Sequence, residues 1–319
     1  MKRSYSIFLK GAGMGAADAV PGVSGGTIAF VTGIYEELIH TIKQFGPAAF
    51  MAWRRGGWAR LATHLNLAFL VPLLAGIAAS LISVAHLVTY LMAEHALLLD
   101  AFFFGLVAAS AVVVSRSLPD WRWWHVLPLA VGLVLARMLP ALMPFVSTLG
   151  ADSLMLVVGG SIAISAMLLP GVSGSFLLLT MGLYGTVMEG IKSFDLTLIA
   201  QFAVGCAIGL FFFSRLLSWL LRHFHTATLQ LLIGFILGSL PTLWPWRELV
   251  SYQLGPDDQI IPLDYRYLLP NDYALLTGES AQLFGVLALM LAGLILVLVV
   301  GRQPGNSQAH PHKEEGSDA

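Results

Sequence analysis

The chain has 319 residues, of which 57% are hydrophobic and only 11% charged, with a net charge of −1. Soluble domains carry about a quarter charged residues, so this much apolar surface points to lipid as the natural solvent. The near-neutral charge gives no sign of a nucleic-acid partner, and a single cysteine, Cys206, leaves no intramolecular disulfide to form.

Lys2, Arg3 and Lys10 resemble the start of a signal peptide. The sequence from Gly11 is too rich in Gly, Pro and Asp to follow as its apolar core, so this segment is expected to be retained. Residues 21–25 then read Pro-Gly-Val-Ser-Gly, and the same pentapeptide returns at 170–174, an offset of 149. Gly33 and Gly182, Tyr35 and Tyr184, Ile42 and Ile191, and Lys43 and Lys192 keep that offset.

Six apolar segments, near 66–94, 97–118, 123–144, 196–222, 226–247 and 281–301, reach the roughly 20 residues a span needs. The motif regions, near 11–42 and 154–191, differ from these. Each is too long for one span and is broken in its middle by Pro-Gly. The ten residues from Gly11 to Val20 make about 15 Å of helix, half of a ~30 Å hydrocarbon core. The spacing predicts a re-entrant hairpin in each region: a short helix in, a turn near the midplane, a second helix back out.

Loop charge supports this. With two hairpins, thirteen Lys and Arg residues fall on the cytoplasmic side and three outside; with two extra crossings the split is seven to nine. Basic residues concentrate in cytoplasmic loops, which favours the hairpins and places both termini in the cytoplasm. Three spans per half is an odd number, so the second half inserts upside down and the hairpin tips meet from opposite faces. The expected fold is an all-α integral membrane protein, an inverted-topology repeat with six spanning helices and two re-entrant helical hairpins. Residues 1–150 form the first repeat, 151–301 the second, and 302–319 a disordered cytoplasmic tail. Residues 248–280 read as an external connecting loop without a counterpart in the first half.

Pro21 and Pro170 stop the entering helices, and Gly22 and Gly171 permit the turn. Ser24 and Ser173 are placed to cap the returning helices. The N–H groups of Gly25, Gly26 and Thr27, and of Gly174, Ser175 and Phe176, are expected to lack helical partners and so to suit an anion, phosphate above all. A bare packing turn is the plainer alternative, but it would not need the Ser-Gly twice. Ionisable residues at membrane depth are functional candidates. Arg137, within the third span, suits bidentate phosphate contacts. Asp18, whose repeat counterpart is Met167, suits a proton carrier, since a carboxyl in a low-dielectric site exchanges its proton near neutral pH. The plainer alternative is that Asp18 and Arg137 form a structural ion pair. Glu36 and Glu37 are secondary coupling candidates or plain interfacial groups. No cofactor or metal is expected: His86 shows no ligand spacing, and His310 and His312 lie in the tail. Trp53, Trp58, Trp121, Trp123, Trp124, Trp244 and Trp246 fall at predicted span ends as an interfacial belt, and recurring glycines such as Gly76, Gly105, Gly132, Gly205 and Gly234 permit close helix approach.

The run from Met14 to Thr27, with Gly33-Ile34-Tyr35-Glu36 after it, resembles the signature of the bacterial polyprenyl-phosphate transporters, long known as a membrane domain of unknown function. Leu169 to Ser175, with Gly182-Leu183-Tyr184-Gly185, fits as the second copy, and the resemblance covers nearly the whole chain. It implies a non-enzymatic protein of the bacterial cytoplasmic membrane. Such a protein returns undecaprenyl phosphate from the outer to the inner leaflet for reuse in peptidoglycan and surface-polymer synthesis, coupled to protons or sodium. The lipid substrate is implied by the resemblance alone. The rival readings are a transporter of another small anion and a membrane-embedded polyprenyl-diphosphate phosphatase. The second lacks a Pro-Ser-Gly-His pattern and a histidine near Ser24 or Ser173 to act as base. Oligomeric state is not encoded in any of these features.

Overall fold

The structure, a computed structural model, describes residues 2–20, 23–116, 118, 123–147, 153–254 and 260–301. The expected Pro21-Gly22 break, Trp121 of the expected interfacial belt and the tail 302–319 lie outside these residues. The first half runs α1 (Lys2–Asp18), α2 (Gly25–Val31), α3 (Tyr35–Lys43), α4 (Pro47–His64), α5 (Leu67–Glu94), α6 (Ala96–Arg116) and α7 (Val126–Ser147). The second runs α8 (Ser153–Met167), α9 (Gly174–Thr180), α10 (Tyr184–Lys192), α11 (Leu196–His223) and α12 (His225–Ser239), which continues as a 3-10 turn, Leu240–Leu243. A hairpin of β1 (Arg247–Leu254) and β2 (Ile260–Tyr267) follows, then α13 (Pro270–Thr277) and α14 (Leu283–Gly301).

Among the described residues, four helical segments are long and apolar enough to cross a bilayer: Leu67–Val84, Ala96–Arg116, Leu196–His223 and His225–Leu243. Shorter apolar stretches lie in α7, α8 and α14. This is the helix set of a multi-pass membrane protein. The two motif regions share one order of elements: a longer helix, a break, a seven-residue helix and a nine-residue helix. Gly33 and Gly182, at the turn between the two short helices, both have φ +71°, a left-handed value that side chains with a Cβ resist. That turn bends α10 by 105° from α9.

Three expectations need correction. The first entering helix has 17 residues, not ten, because Lys2 to Lys10 continue it; it is about 25 Å long. The segment after the first hairpin, expected to be a loop, is the helix α4, broken where Gly57 takes φ 63°. The segment expected to be an external loop carries an antiparallel β-hairpin followed by α13, with a bulge near Ser251. Alternating polar and β-favouring residues (Glu248 to Tyr252, Asp264 to Tyr267) make strands possible outside the apolar core. The hairpin is fastened to the bundle by an Arg247–Asp100 ion pair at 2.7 Å. Trp244 and Trp246 add indole N–H donation to the Leu268 and Ala281 carbonyls, each at 2.9 Å.

Helix pairing recurs between the halves through glycines. A methyl group on Gly76 of α5 would overlap the Phe8 carbonyl of α1, and one on Gly205 of α11 the Val157 carbonyl of α8. In the same way Gly105 of α6 meets Met290 of α14, and Gly234 of α12 meets Leu129 of α7. The last two contacts cross the halves: each third helix packs on the second helix of the other half. The halves are interlocked, not laid side by side.

Candidate functional site

The site is the pair of helix breaks. At the first, Ser24 has extended backbone (φ −125°, ψ 133°) and its Oγ accepts the Gly26 N–H at 3.1 Å. The Asp18 carboxylate, at the end of α1, accepts the Gly25 N–H at 2.7 Å. The Ser24 carbonyl accepts the Thr27 N–H at 2.9 Å. Only glycine permits this at position 25, where a Cβ would overlap the Asp18 carboxylate. The amide end of α2 is therefore satisfied by its own chain, contrary to the expectation that those three N–H groups lack partners. It is also sealed, since Ser24 is 2% exposed and Thr27 0%. Asp18 itself is exposed.

The second break differs. Ser173 caps α9, its Oγ accepting the Phe176 N–H at 3.4 Å and lying 3.0 Å from the Ser175 Oγ. Met167 stands where the first copy has Asp18 and offers only a weakly accepting thioether in place of a carboxylate. Among the described residues the Gly174 and Ser175 N–H groups have no acceptor. Ser175 is exposed and Ser173 half-buried. Pro170 sits in the turn, and Gly171 has φ +84° with its Cα face against Phe235 and Ser239 of α12. Gly174 lies against the Ala163 carbonyl of α8, so α9 is held close to its entering helix.

The two breaks are fastened together. Tyr35 on α3 donates its hydroxyl to the Leu168 carbonyl at 2.6 Å, and the Gly171 N–H donates to Thr27 Oγ1 at 2.9 Å. Gly26 faces the carbonyls of Met167 and Leu169. From sequence Tyr35 is one of a repeated pair and part of the family signature; its bond across 133 residues is invisible to any local pattern. Each bond is worth about 1 kcal/mol net. Tyr35→Phe and Thr27→Val are each expected to raise the alkylation rate of a cysteine placed at Val23, in a Cys206→Ser background, by about fivefold. An unchanged rate would mean that these bonds do not hold the first tip shut.

Arg137 on α7 is exposed, with its guanidinium carbon 6.0 Å from the Tyr267 ring centroid on β2, a cation–π arrangement. Both α7 and β2 pack against α9. Among the described residues Arg137 and Asp18 do not form an ion pair. Glu36 bonds His225 at 2.9 Å. Glu37 accepts from Arg3 at 2.7 Å and from Asn66 at 3.0 Å. These carboxylates join α3 to neighbouring helix ends and lie away from the breaks. Lys10 donates to the Thr32 carbonyl at 2.7 Å and so satisfies the C-terminal end of α2. Sequence reasoning missed this use of Lys10, although a basic residue inside a hairpin helix was the available signal.

Comparison with known proteins bears on the same residues. The family model described as undecaprenyl phosphate translocase-like matches residues 14–260, which include both breaks. A polyprenyl-phosphate transporter of Vibrio cholerae is 41% identical over 293 residues, 92% of this chain and 94% of the relative. A polyprenyl-phosphate transporter of Staphylococcus aureus is 31% identical over 253 residues, 74% of this chain and 85% of the relative. No solved structure matches the chain.

Proposed function

Because the chain belongs to the undecaprenyl phosphate translocase-like family, we propose that it carries a polyprenyl phosphate, undecaprenyl phosphate above all, from the outer to the inner leaflet of the bacterial cytoplasmic membrane. The observation that carries this reading is the unequal state of two like breaks. One amide end is capped and sealed, and the other presents Ser173, Ser175 and two free N–H groups. A lipid phosphate needs several donors at one point, whereas its prenyl tail can stay in the bilayer. In the proposal Ser173, Gly174 and Ser175 take the phosphate and Arg137, beside the same helix, adds a bidentate donor.

The topology belongs to the same proposal: six spans, two hairpins entering from opposite faces, and cytoplasmic termini. Contacts between distant segments support it. Asp100 with Arg247 joins ends assigned to the outside, and Glu36 with His225 joins ends assigned to the cytoplasm. The β-hairpin then lies outside, and the open second tip faces the leaflet from which the lipid is collected. In the opposite state the first tip, with Ser24, Gly25, Gly26 and Thr27, opens and hands the phosphate to the inner leaflet. An anion moving inward at 100 mV is opposed by about 2.3 kcal/mol per charge. A proton carried by Asp18, exposed beside that tip, cancels this term; Glu36 and Glu37 are too occupied by other partners to serve as well.

The test is surface exposure of undecaprenyl phosphate in cells with and without the protein, read with a phosphate-binding probe applied from outside. Loss of the protein is expected to raise surface lipid phosphate, and Arg137→Gln to lower transport about tenfold or more, the worth of one charged hydrogen bond. Equal exposure in all three strains would refute the assignment. Release of inorganic phosphate by the pure protein would favour the phosphatase reading instead.

A further inference from the structure

The element α4 has no counterpart in the second half, where only Ser193, Phe194 and Asp195 separate α10 from α11. Nothing in α4 is buried, and it packs chiefly on the start of α5. Its side chains are therefore not there to build the bundle. Phe50, Met51, Trp53 and Trp58 are exposed, Trp58 by 75%, and the Phe50 and Trp53 rings sit 5.8 Å apart on one face. Arg54, Arg55 and Arg60 are exposed beside them. No Asp or Glu occurs between Glu37 and Glu94.

A second element adds to the same charge. Arg215 of α11 donates to the Phe45 carbonyl at 3.2 Å and so holds the turn from α3 into α4. Lys43 ends α3, which packs on α11, the helix of Arg215 and Arg222; burial, and then those two guanidinium groups, push the Lys43 ammonium below its ordinary value. Among the described residues none of Lys43, Arg54, Arg55, Arg60, Arg215 and Arg222 pairs with a carboxylate. Glu36 and Glu37, the nearest acidic residues in sequence, are taken by His225 and Arg3. An uncompensated cationic rim persists beside exposed tryptophans where an anionic surface neutralises it. Indole rings mark the depth of that surface as the headgroup boundary of a bilayer.

We propose that α4 and this basic rim dock on anionic phospholipid headgroups of the leaflet they face, with Phe50, Trp53 and Trp58 at the headgroup boundary and Arg54, Arg55 and Arg60 on lipid phosphates. The inference requires only that the chain is embedded in a membrane, and does not depend on the transported substrate. The full-length protein, carrying Cys206→Ser and a fluorophore on Met51→Cys, is placed in nanodiscs of phosphatidylcholine and phosphatidylglycerol. Brominated quencher is carried on one lipid or the other. Quenching by brominated phosphatidylglycerol is expected to exceed that by brominated phosphatidylcholine by about threefold or more, and to fall to parity in high salt, where such attraction is screened. In Arg54→Gln/Arg55→Gln/Arg60→Gln the preference is expected to disappear while quenching itself remains. Equal quenching by the two lipids in the unsubstituted protein overturns the proposal, as does a fluorophore that neither lipid reaches, which would place α4 against protein or another copy of the chain. Because the salt response of the labelled protein is read without the arginine substitutions, poor folding of the triple substitution leaves the test intact. The readout contains no transport step, so it stands or fails separately from the transport assignment.

Discussion

Replacing Asp18 by asparagine is expected to leave the protein folded and to remove the dependence of lipid return on the proton gradient. Asparagine keeps an oxygen for the Gly25 N–H, the bond that Asp18 makes at 2.7 Å, but has no proton to exchange. The anion then moves against the full electrical term, about 2.3 kcal/mol per charge at 100 mV, or roughly 50-fold in the leaflet ratio. Alanine separates the two duties of this residue. It leaves the Gly25 N–H of a sealed helix end without its cap, at a cost of about 1–2 kcal/mol in stability, besides losing the proton. Thermal unfolding and leaflet assays at two pH values, on both variants, read the two effects apart. Full gradient dependence in Asp18→Asn would remove Asp18 from the coupling step and leave it as a cap alone.

Gly105→Ala and Gly234→Ala are expected to be strongly damaging for so small a change. Each methyl would overlap a backbone carbonyl of the helix from the other half, Met290 or Leu129. A carbonyl cannot rotate away as a side chain can, so two helices must separate along their length. The expected loss is about 3 kcal/mol for each, seen as lost yield in mild detergent and a lowered midpoint of thermal unfolding. Gly13→Ala is the control, since its methyl would meet only the end of the Ile28 side chain, at 3.3 Å. If all three behave alike, the interlocked packing is wrong. The reciprocal positions Gly132 and Gly293, which face Leu231 and Phe102, should respond like Gly105 and Gly234.

The sequence alone determined much of the local organisation. The length of apolar runs locates the long helices, because a backbone in lipid must satisfy its own hydrogen bonds and helices do so within the segment. Pro-Gly written twice marks where two of those helices stop, since proline removes a donor and glycine accepts the turn; Gly171 and Ser173 take up these roles at the second break. The β-hairpin was missed because a short polar strand pair has no apolar period to read, and α4 because its glycine break and mixed residues blur the helical period.

Tertiary structure decided the rest. Asp18 reads from sequence as a proton carrier or the ion-pair partner of Arg137, yet its partner is a backbone amide seven residues on, reached only because the chain turns back there. Two breaks with the same pentapeptide became different sites, since Met167 replaces Asp18 and the Tyr35 and Thr27 bonds close one tip over the other's turn. The exchange of third helices between the halves was likewise unreadable, although its glycines stood in plain view. Composition and spacing fix what one segment can do on its own; which partner it meets depends on how closely two backbones can approach, and that is settled only when the whole chain packs.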